Sequence, residues 1–300
     1  MLNKITLINF RNHQKEIIEF KKPITYLTGY NGIGKTAILE AIYFSFTTKS
    51  FRTSNDRDLI FNNQEFSKMN LELNNQNIEI VISKKGKRIK VNGVEKRRLS
   101  DYIGDFNAVL FVPEDINLIR GTPANRREFV DLEMFQLDKR YLNLLNKYQK
   151  VLKQRNSLLK NLKINDDYTF LNILGEQLLE IGLEIIEKRK EFINYLNEYI
   201  NKFELLPNKK INIVYKPNVE IEQFQQSIRK KQNQDILYET TLNGPHKDDF
   251  IVFFDEKDAK VFASSGEQRL IVLSLKLALL KVIELKTKRK PILLLDDVLS

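Results

Sequence analysis

Apolar and polar positions change their period several times along the chain, and each change marks an element. Leu2, Ile5, Leu7 and Phe10 fall at near-alternate positions, and Ile17, Ile18 and Phe20 follow after a polar break, which predicts two strands. Ile24 to Thr28 predicts a third strand running straight into a glycine-containing loop. Beyond the loop, Ile38, Ala41, Ile42, Ser45 and Phe46 recur at the helical period. Leu71, Leu73, Ile78, Ile80 and Ile82 alternate, Lys84-Lys85-Gly86-Lys87 interrupts, and Ile89 and Val91 resume before Asn92-Gly93, the pattern of a β-meander.

From Pro123, which suits the first turn of a helix, strand signals are scarce until about Ile211. Two heptad tracks fill the interval. Tyr141, Leu145, Tyr148, Leu152, Leu159 and Leu162 form one, and Leu171, Leu174, Leu178, Ile181, Ile185, Phe192, Tyr195 and Tyr199 the other. Two helices joined near Asn165-Asp166-Asp167 are expected to pack antiparallel along these seams. A helix of roughly 26 residues spans about 40 Å, so they describe a compact lobe. Strand patterns return at Ile211, Ile213 and Tyr215 and at Ile251 to Phe254, followed by a long apolar helix from about Glu267 to Lys286 and an apolar run from Ile292 to Leu295. The chain reads as an α/β domain made of residues 1–110 and 207–300, with a helical lobe over 111–206 inserted between them.

Composition narrows the function. The 300 residues hold 42% hydrophobic and 29% charged positions, enough for a sizeable core and unlike a disordered tail. There is no cysteine, which excludes disulfides, thiolate zinc sites and iron–sulfur clusters and suits a reducing, cytoplasmic setting. The N-terminus has no signal-peptide core, and no uncharged run of about 18 residues is available to span a membrane. A formal charge of +10 favours an anionic partner, with nucleic acid ahead of a membrane surface.

Gly29-Tyr30-Asn31-Gly32-Ile33-Gly34-Lys35-Thr36 matches G-x-x-x-x-G-K-[ST] and lies after a strand signal and before a helix signal, as a phosphate loop requires. Its backbone N–H groups can wrap nucleotide phosphates, Lys35 can reach the β and γ phosphates, and the Thr36 hydroxyl can ligate Mg²⁺. Pro291-Ile292-Leu293-Leu294-Leu295-Asp296-Asp297 supplies an apolar strand, expected to be buried on both faces, that ends in two acids. Asp296 would hold Mg²⁺ through water, and Asp297 would orient or deprotonate the attacking water. Between these motifs, Ser264-Ser265-Gly266-Glu267-Gln268 opens the long helix. Ser264 with Glu267 is a capping box, and S-x-G before an acid-ended strand is also the signature of ABC-type ATPases; both readings can hold at once.

These motifs, with Asn9-Phe10-Arg11-Asn12-His13, Phe111 to Arg127, Tyr148 to Lys160, Asn243-Gly244-Pro245-His246-Lys247-Asp248-Asp249-Phe250 and Phe262 to Leu277, make the whole chain resemble the RecF family of the SMC/ABC ATPase superfamily. The Gly-Pro-His-x-Asp-Asp stretch is particular to that family. The resemblance implies a P-loop ATPase head with a helical lobe that binds ATP and Mg²⁺, forms a homodimer when ATP is bound, and holds single-stranded or gapped DNA. It also implies action with RecR and RecO in loading RecA, a place in the SOS response, and weak DNA-dependent ATP hydrolysis by the full-length dimer. In the dimer, Ser264 and Gly266 would meet the γ-phosphate held by a second copy, and Arg11 would be the N-terminal arginine that approaches the phosphates. Glu267 stands where the family usually has glutamine, and an acid facing the nucleotide would repel it. The family continues past the position of Ser300 through a D-loop and a further strand.

Arg126, Arg127, Arg140, Lys147, Lys150, Lys153 and Arg155 are candidate DNA phosphate contacts, each also readable as part of a solvated helix face. The lysines at 84–87 read as a solvated hairpin turn. His246, without a metal-ligand trio, reads as structural at a tight Gly-Pro turn, and Asp248 and Asp249 with it. Two other functions use the same loop: a structural SMC-type head, and a P-loop kinase, which has no need of Ser264.

Overall fold

A computed structural model of the chain describes residues 1–164 and 166–297, so Asn165 at the expected helix junction and the final Val298-Leu299-Ser300 lie outside the described residues. The fold divides into two compact units, one formed by residues 1–112 and 291–300, the other by 113–290.

In the first unit, β1 (Leu2–Phe10), β2 (His13–Glu19), β3 (Phe66–Leu73), β4 (Gln76–Ser83), β5 (Gly86–Val91) and β6 (Val94–Glu95) form an antiparallel sheet in the order β2-β1-β3-β4-β5-β6. The period-2 pattern puts Ile5, Leu7, Met69, Leu71, Ile78 and Ile80 on one face, all fully buried. Helix α1 (Lys35–Thr47) touches β1 and β3 and buries Ala41, Phe44 and Phe46. On the other face the row Thr6, Asn70, Glu79 and Lys90 runs across four strands. Strand β7 (Ala108–Phe111) lies against α1 and pairs in parallel with β11 (Ile292–Leu295), so the two ends of the chain meet in one unit.

Two sequence expectations change here. Ile24 to Thr28 is no strand: it has no ladder partner among the described residues, and Ile24 and Tyr26 are 70% and 83% exposed. Alternation reports which side chains tolerate burial, whereas a strand exists only where a neighbour supplies N–H and C=O groups. The run in β11 is not buried on both faces either. Leu294 is covered, but Leu293 and Leu295, on the opposite face of the strand, are exposed.

The second unit contains α2 (Asn117–Arg120), α3 (Pro123–Leu137), α4 (Lys139–Leu159), α5 (Thr169–Ile200), β8 (Ile211–Lys216), α6 (Ile221–Lys230), α7 (Gln232–Leu237), β9 (Asp249–Phe254), β10 (Lys257–Asp258), α8 (Ala259–Phe262) and α9 (Ser265–Thr287). Strands β10-β9-β8 form a small antiparallel sheet. Helix α5 is the spine, in contact with α4, α6, β8 and α9. Residues 207–290, grouped with the head in the sequence reading, therefore pack with the helices. At 32 residues α5 is about 48 Å long, longer than the roughly 26 residues expected.

The heptad tracks drift. Tyr141, Leu145, Tyr148 and Leu159 are buried, but Val151 and Arg155 face inward where Leu152 was expected, and Leu162 follows the end of α4 in a cluster with Leu159, Leu171 and Ile236. On α5 the seam passes from Ile185 and Phe192 to Ile193, Leu196 and Ile200. A straight helix of 3.6 residues per turn rotates off a seven-residue repeat in this way. Among the described residues no helix is long and apolar enough to cross a membrane.

A buried polar network centred on Arg189 of α5 joins these elements. Its guanidinium donates to Asp131 at 2.8 Å, to the Tyr141 hydroxyl at 2.9 Å, to the Pro245 carbonyl at 2.7 Å and to Asp248 at 3.3 Å. Asp248 also accepts from the Tyr215 hydroxyl and from the Asn218 N–H. Gly244 has φ +136°, and a Cβ there would stand 2.4 Å from the Tyr148 hydroxyl, so no other residue fits. His246 is locked as a neutral ring: Nε2–H donates to the Thr241 carbonyl at 3.0 Å and Nδ1 accepts from the Tyr148 hydroxyl at 2.8 Å. Burial lowers its pKa to about 4, so the structural reading of His246 holds.

The folded ring stays neutral down to about pH 4, whereas the unfolded ring takes a proton near 6.5. The unfolded state thus binds more protons between these values, and the protein loses about 3 kcal/mol of stability as pH falls through that window. Urea unfolding of the wild type and His246→Gln at pH 7, 5.5 and 4 should show a steeper loss in the wild type by about that amount.

Candidate phosphate-binding site

The loop 29–34 leads into α1, and its carbonyl oxygens are tied back by the chain itself. Lys35 Nζ donates to the carbonyls of Gly29 at 2.7 Å and Tyr30 at 2.9 Å. Asn12 Nδ2 donates to the Gly32 carbonyl at 3.3 Å, and His13 Nε2–H to the Gly34 carbonyl at 3.2 Å. Among the described residues, the backbone N–H groups of 29–34 donate no hydrogen bond. A loop whose carbonyls are held and whose amides are open, followed by a helix N-terminus, is an anion cradle.

Asn12 lies in the turn between β1 and β2 and His13 opens β2, and sequence reading did not single them out as site residues. The available signal was their place in Asn9-Phe10-Arg11-Asn12-His13 next to Arg11. The Arg11 guanidinium makes a bidentate pair with the Glu40 carboxylate, Nε and NH2 donating at 2.8 and 2.6 Å, and NH1 donates to the Asp58 carbonyl at 2.9 Å. Glu40, on α1, is fully buried and also accepts from the Ser50 hydroxyl at 2.5 Å and from Arg52 at 3.3 Å. A buried carboxylate needs such partners, and these fasten the β1–β2 turn to the helix that the loop begins.

Thr36 lies in the first turn of α1, and its hydroxyl makes no hydrogen bond among the described residues, whereas Ser45 and Thr47 of the same helix bond back to carbonyls four residues earlier. Asp296 extends the β11–β7 ladder, its N–H donating to the Phe111 carbonyl at 2.9 Å, and Asp297 follows it, exposed, with φ +49°. Among the described residues no group of three or more His, Cys, Asp or Glu could hold a metal unaided. An uncommitted hydroxyl and a strand-end carboxylate fit Mg²⁺, a cation usually bound by one or two carboxylates, waters and the phosphates of its substrate.

In the other unit, Ser264 caps α9 and closes the capping box: its Oγ accepts from the Glu267 N–H at 3.3 Å, and the Glu267 carboxylate accepts from the Ser264 N–H at 2.8 Å. The acid in the signature is thus turned back onto the cap, and that N–H holds its pKa below the usual carboxylate range. Gly266 has open space where a Cβ would stand, so packing within the chain does not demand glycine there. Arg120, absent from the sequence candidates, pins the same turn by donating to Gln268 at 2.5 Å and to the Ser265 hydroxyl at 2.8 Å.

The seven basic candidates divide by burial. Arg126 donates two hydrogen bonds to the Asp249 carboxylate at 2.6 and 2.9 Å, and Arg155, 1% exposed, donates to Asp235 and Thr241. Both are internal cross-links, which corrects the expectation that they face a polyanion. Arg127 is half-buried and donates to the Asp248 carbonyl at 2.8 Å. Arg140, Lys147, Lys150 and Lys153 are exposed along α4.

A phosphate loop, an acid-ended strand and a serine-capped signature helix on this fold define a P-loop ATPase head of the SMC/ABC type. A family model described as the RecF/RecN/SMC N-terminal domain matches residues 1–300, and the chain belongs to that family. It is 47% identical over 304 residues to the DNA replication and repair protein RecF of Acholeplasma laidlawii, covering all of this chain and 86% of that protein. The RecF protein of Bacillus cytotoxicus is 41% identical, with 85% of it covered. A solved structure of the recombination mediator protein RecF with ATP, described as part of the RecFOR pathway, superposes with a TM-score of 0.93 at 34% identity, over 99% of this chain and 84% of that one. The Smc head domain of Pyrococcus furiosus, at 17% identity and a TM-score of 0.51, shares the fold.

Gly34 has φ +104°, and a Cβ there would stand 2.2 Å from His13 Nε2. Gly34→Ala should therefore cost about 2 kcal/mol of stability. Adding His13→Ala should restore about 1 kcal/mol of it, measured as the coupling in a double-mutant cycle of denaturant unfolding.

Proposed function

We propose that this protein is an ATP-gated DNA clamp of the recombinational repair and replication machinery. The observation that carries the reading is the loop 29–34, with its carbonyls tied back and its N–H groups free to surround a triphosphate. The fold kinship to a RecF protein solved with ATP supports the choice of nucleotide. When ATP arrives, Lys35 exchanges the Gly29 and Tyr30 carbonyls for phosphate oxygens. Thr36 and Asp296 would hold Mg²⁺, which supplies charge neutralisation on the phosphates. Asp297 would orient or deprotonate the attacking water, and Arg11, paired with Glu40 on α1, would approach the phosphates.

The γ-phosphate then meets Ser264 and the open surface at Gly266 of a second copy, so nucleotide joins two chains. The joined molecules retain single-stranded or gapped DNA without reading its sequence, through cations such as Arg140, Lys147 and Lys150, and hydrolysis, slow in a lone chain, releases it. RecR and RecO are the partners that follow from family membership, with RecA loading and the SOS response as the setting and the cytoplasm as the location. A structural SMC head or a P-loop kinase shares the loop; the kinase has no use for Ser264.

Sedimentation with ATP, ADP and a non-hydrolysable analogue checks this reading. The wild type should dimerise with triphosphate alone, Lys35→Met should lose nucleotide binding, and Ser264→Arg should bind nucleotide yet stay monomeric. A Ser264→Arg protein that dimerises like the wild type would sink the trans contact and favour the kinase. Gly266→Ala should keep or raise the unfolding midpoint, since alanine is the better helix former by up to about 1 kcal/mol, while weakening dimerisation at least tenfold.

A further inference from the structure

Of the fifteen residues from 84 to 98, eight are Lys or Arg and one, Glu95, is an acid. The sequence alone reads the lysines at 84–87 as a solvated turn, and the structure arranges the whole run. Ser83 and Gly86 pair at the end of β4 and β5, which puts Lys84 and Lys85 at the hairpin tip, and the Ser83 hydroxyl accepts from the Lys85 N–H at 3.2 Å. Arg57 donates to the Lys84 carbonyl at 3.3 Å, bringing one more exposed cation to the same end. The Lys96 N–H donates to the Ile89 carbonyl at 2.9 Å, so the chain leaving β6 stays against β5 and carries Arg97 and Arg98 back along it.

Only part of this charge is neutralised. Lys87 turns inward to Asp56 at 2.8 Å, and Lys90 lies 3.8 Å from Glu79. Lys84, Lys85, Arg97 and Arg98 are exposed and make no side-chain ion pair or hydrogen bond among the described residues. Exposed cations close in the fold repel one another, and among the described residues no acid pairs with these four to offset the cost. A polyanion would.

We infer that the β4–β5 hairpin tip and the segment after β6 form a binding site for the phosphate backbone of DNA, in the unit that carries the phosphate loop and apart from the cations of α4. This rests on the DNA-clamp reading and gives it a second, separately testable grip. The contacts are to phosphates, so the site is indifferent to sequence and strongly dependent on salt.

The test uses fluorescence anisotropy of the whole protein with labelled duplex, gapped duplex and single strand from 50 to 200 mM salt. The variants are Lys84→Glu/Lys85→Glu and Arg97→Glu/Arg98→Glu, with Lys288→Glu/Lys290→Glu as the control for net charge. ATP binding and thermal unfolding report the fold. Each site variant should bind DNA at least tenfold more weakly than the control, with a shallower slope of log affinity on log salt, and with ATP binding intact. Lys84→Gln/Lys85→Gln should fall between wild type and the Glu pair. DNA binding by the site variants equal to the control's overturns the site and leaves the clamp reading standing. A wild type that binds no DNA at any salt overturns both. Binding of these residues to phosphatidylserine vesicles in place of DNA overturns the site as a nucleic-acid surface.

Discussion

A loop that is to receive a triphosphate must point its amides one way and its carbonyls the other. Here that orientation is imposed from behind. Asn12 and His13 hold the carbonyls of Gly32 and Gly34, and Lys35 holds those of Gly29 and Tyr30. The four contacts differ in kind. Those from Asn12 and His13 come from the turn and first strand residue of a hairpin that is part of the sheet, whereas those from Lys35 belong to a side chain with a second destination. The loop is thus braced permanently on one side and temporarily on the other.

The brace depends in turn on a buried carboxylate. Glu40 on α1 takes both nitrogens of one edge of the Arg11 guanidinium, so the turn, the loop and the helix form a closed circuit of polar contacts. Buried ion pairs contribute little net stability, because desolvation offsets most of the attraction, but an unpartnered one is costly. The effect is positional: turn and helix have one low-energy arrangement, in which Asn12 and His13 reach the loop. Arg189 does similar work in the other unit, where Asp131, Asp248, Tyr141 and the Pro245 carbonyl converge on one guanidinium. The Gly-Pro-His-x-Asp-Asp stretch is therefore a structural joint. Its acids are consumed by arginines, and its histidine is held neutral.

Cations illustrate how tertiary structure sorts residues of one type. Arg155 lies on a helix whose Lys147, Lys150 and Lys153 are exposed, and nothing in the spacing of Arg155 or of Arg126 on α3 marks them as internal. What decides is an acid distant in sequence, Asp249 for Arg126 and Asp235 for Arg155. At the β4–β5 hairpin the converse holds. The run of basic residues is plain in the sequence, yet only the folded structure shows which lysines have found an acid.

The sequence by itself determined the local pieces: the meander, the helix after the loop, the capping box at Ser264 and Glu267, and the order of loop, signature and acid strand. These are legible because period, capping and turn chemistry act over a few residues and are written in adjacent positions. Only the tertiary structure decided that Ile24 to Thr28 lacks a ladder, that Arg11 serves Glu40, that Asn12 and His13 brace the phosphate loop, and that Arg120 pins the signature turn. Each of these turns on a partner between 20 and 148 positions away in the chain, or on the lack of one. Hydrogen bonds and ion pairs act over a few ångströms of space whatever the separation along the backbone, and that proximity exists only once the chain has folded.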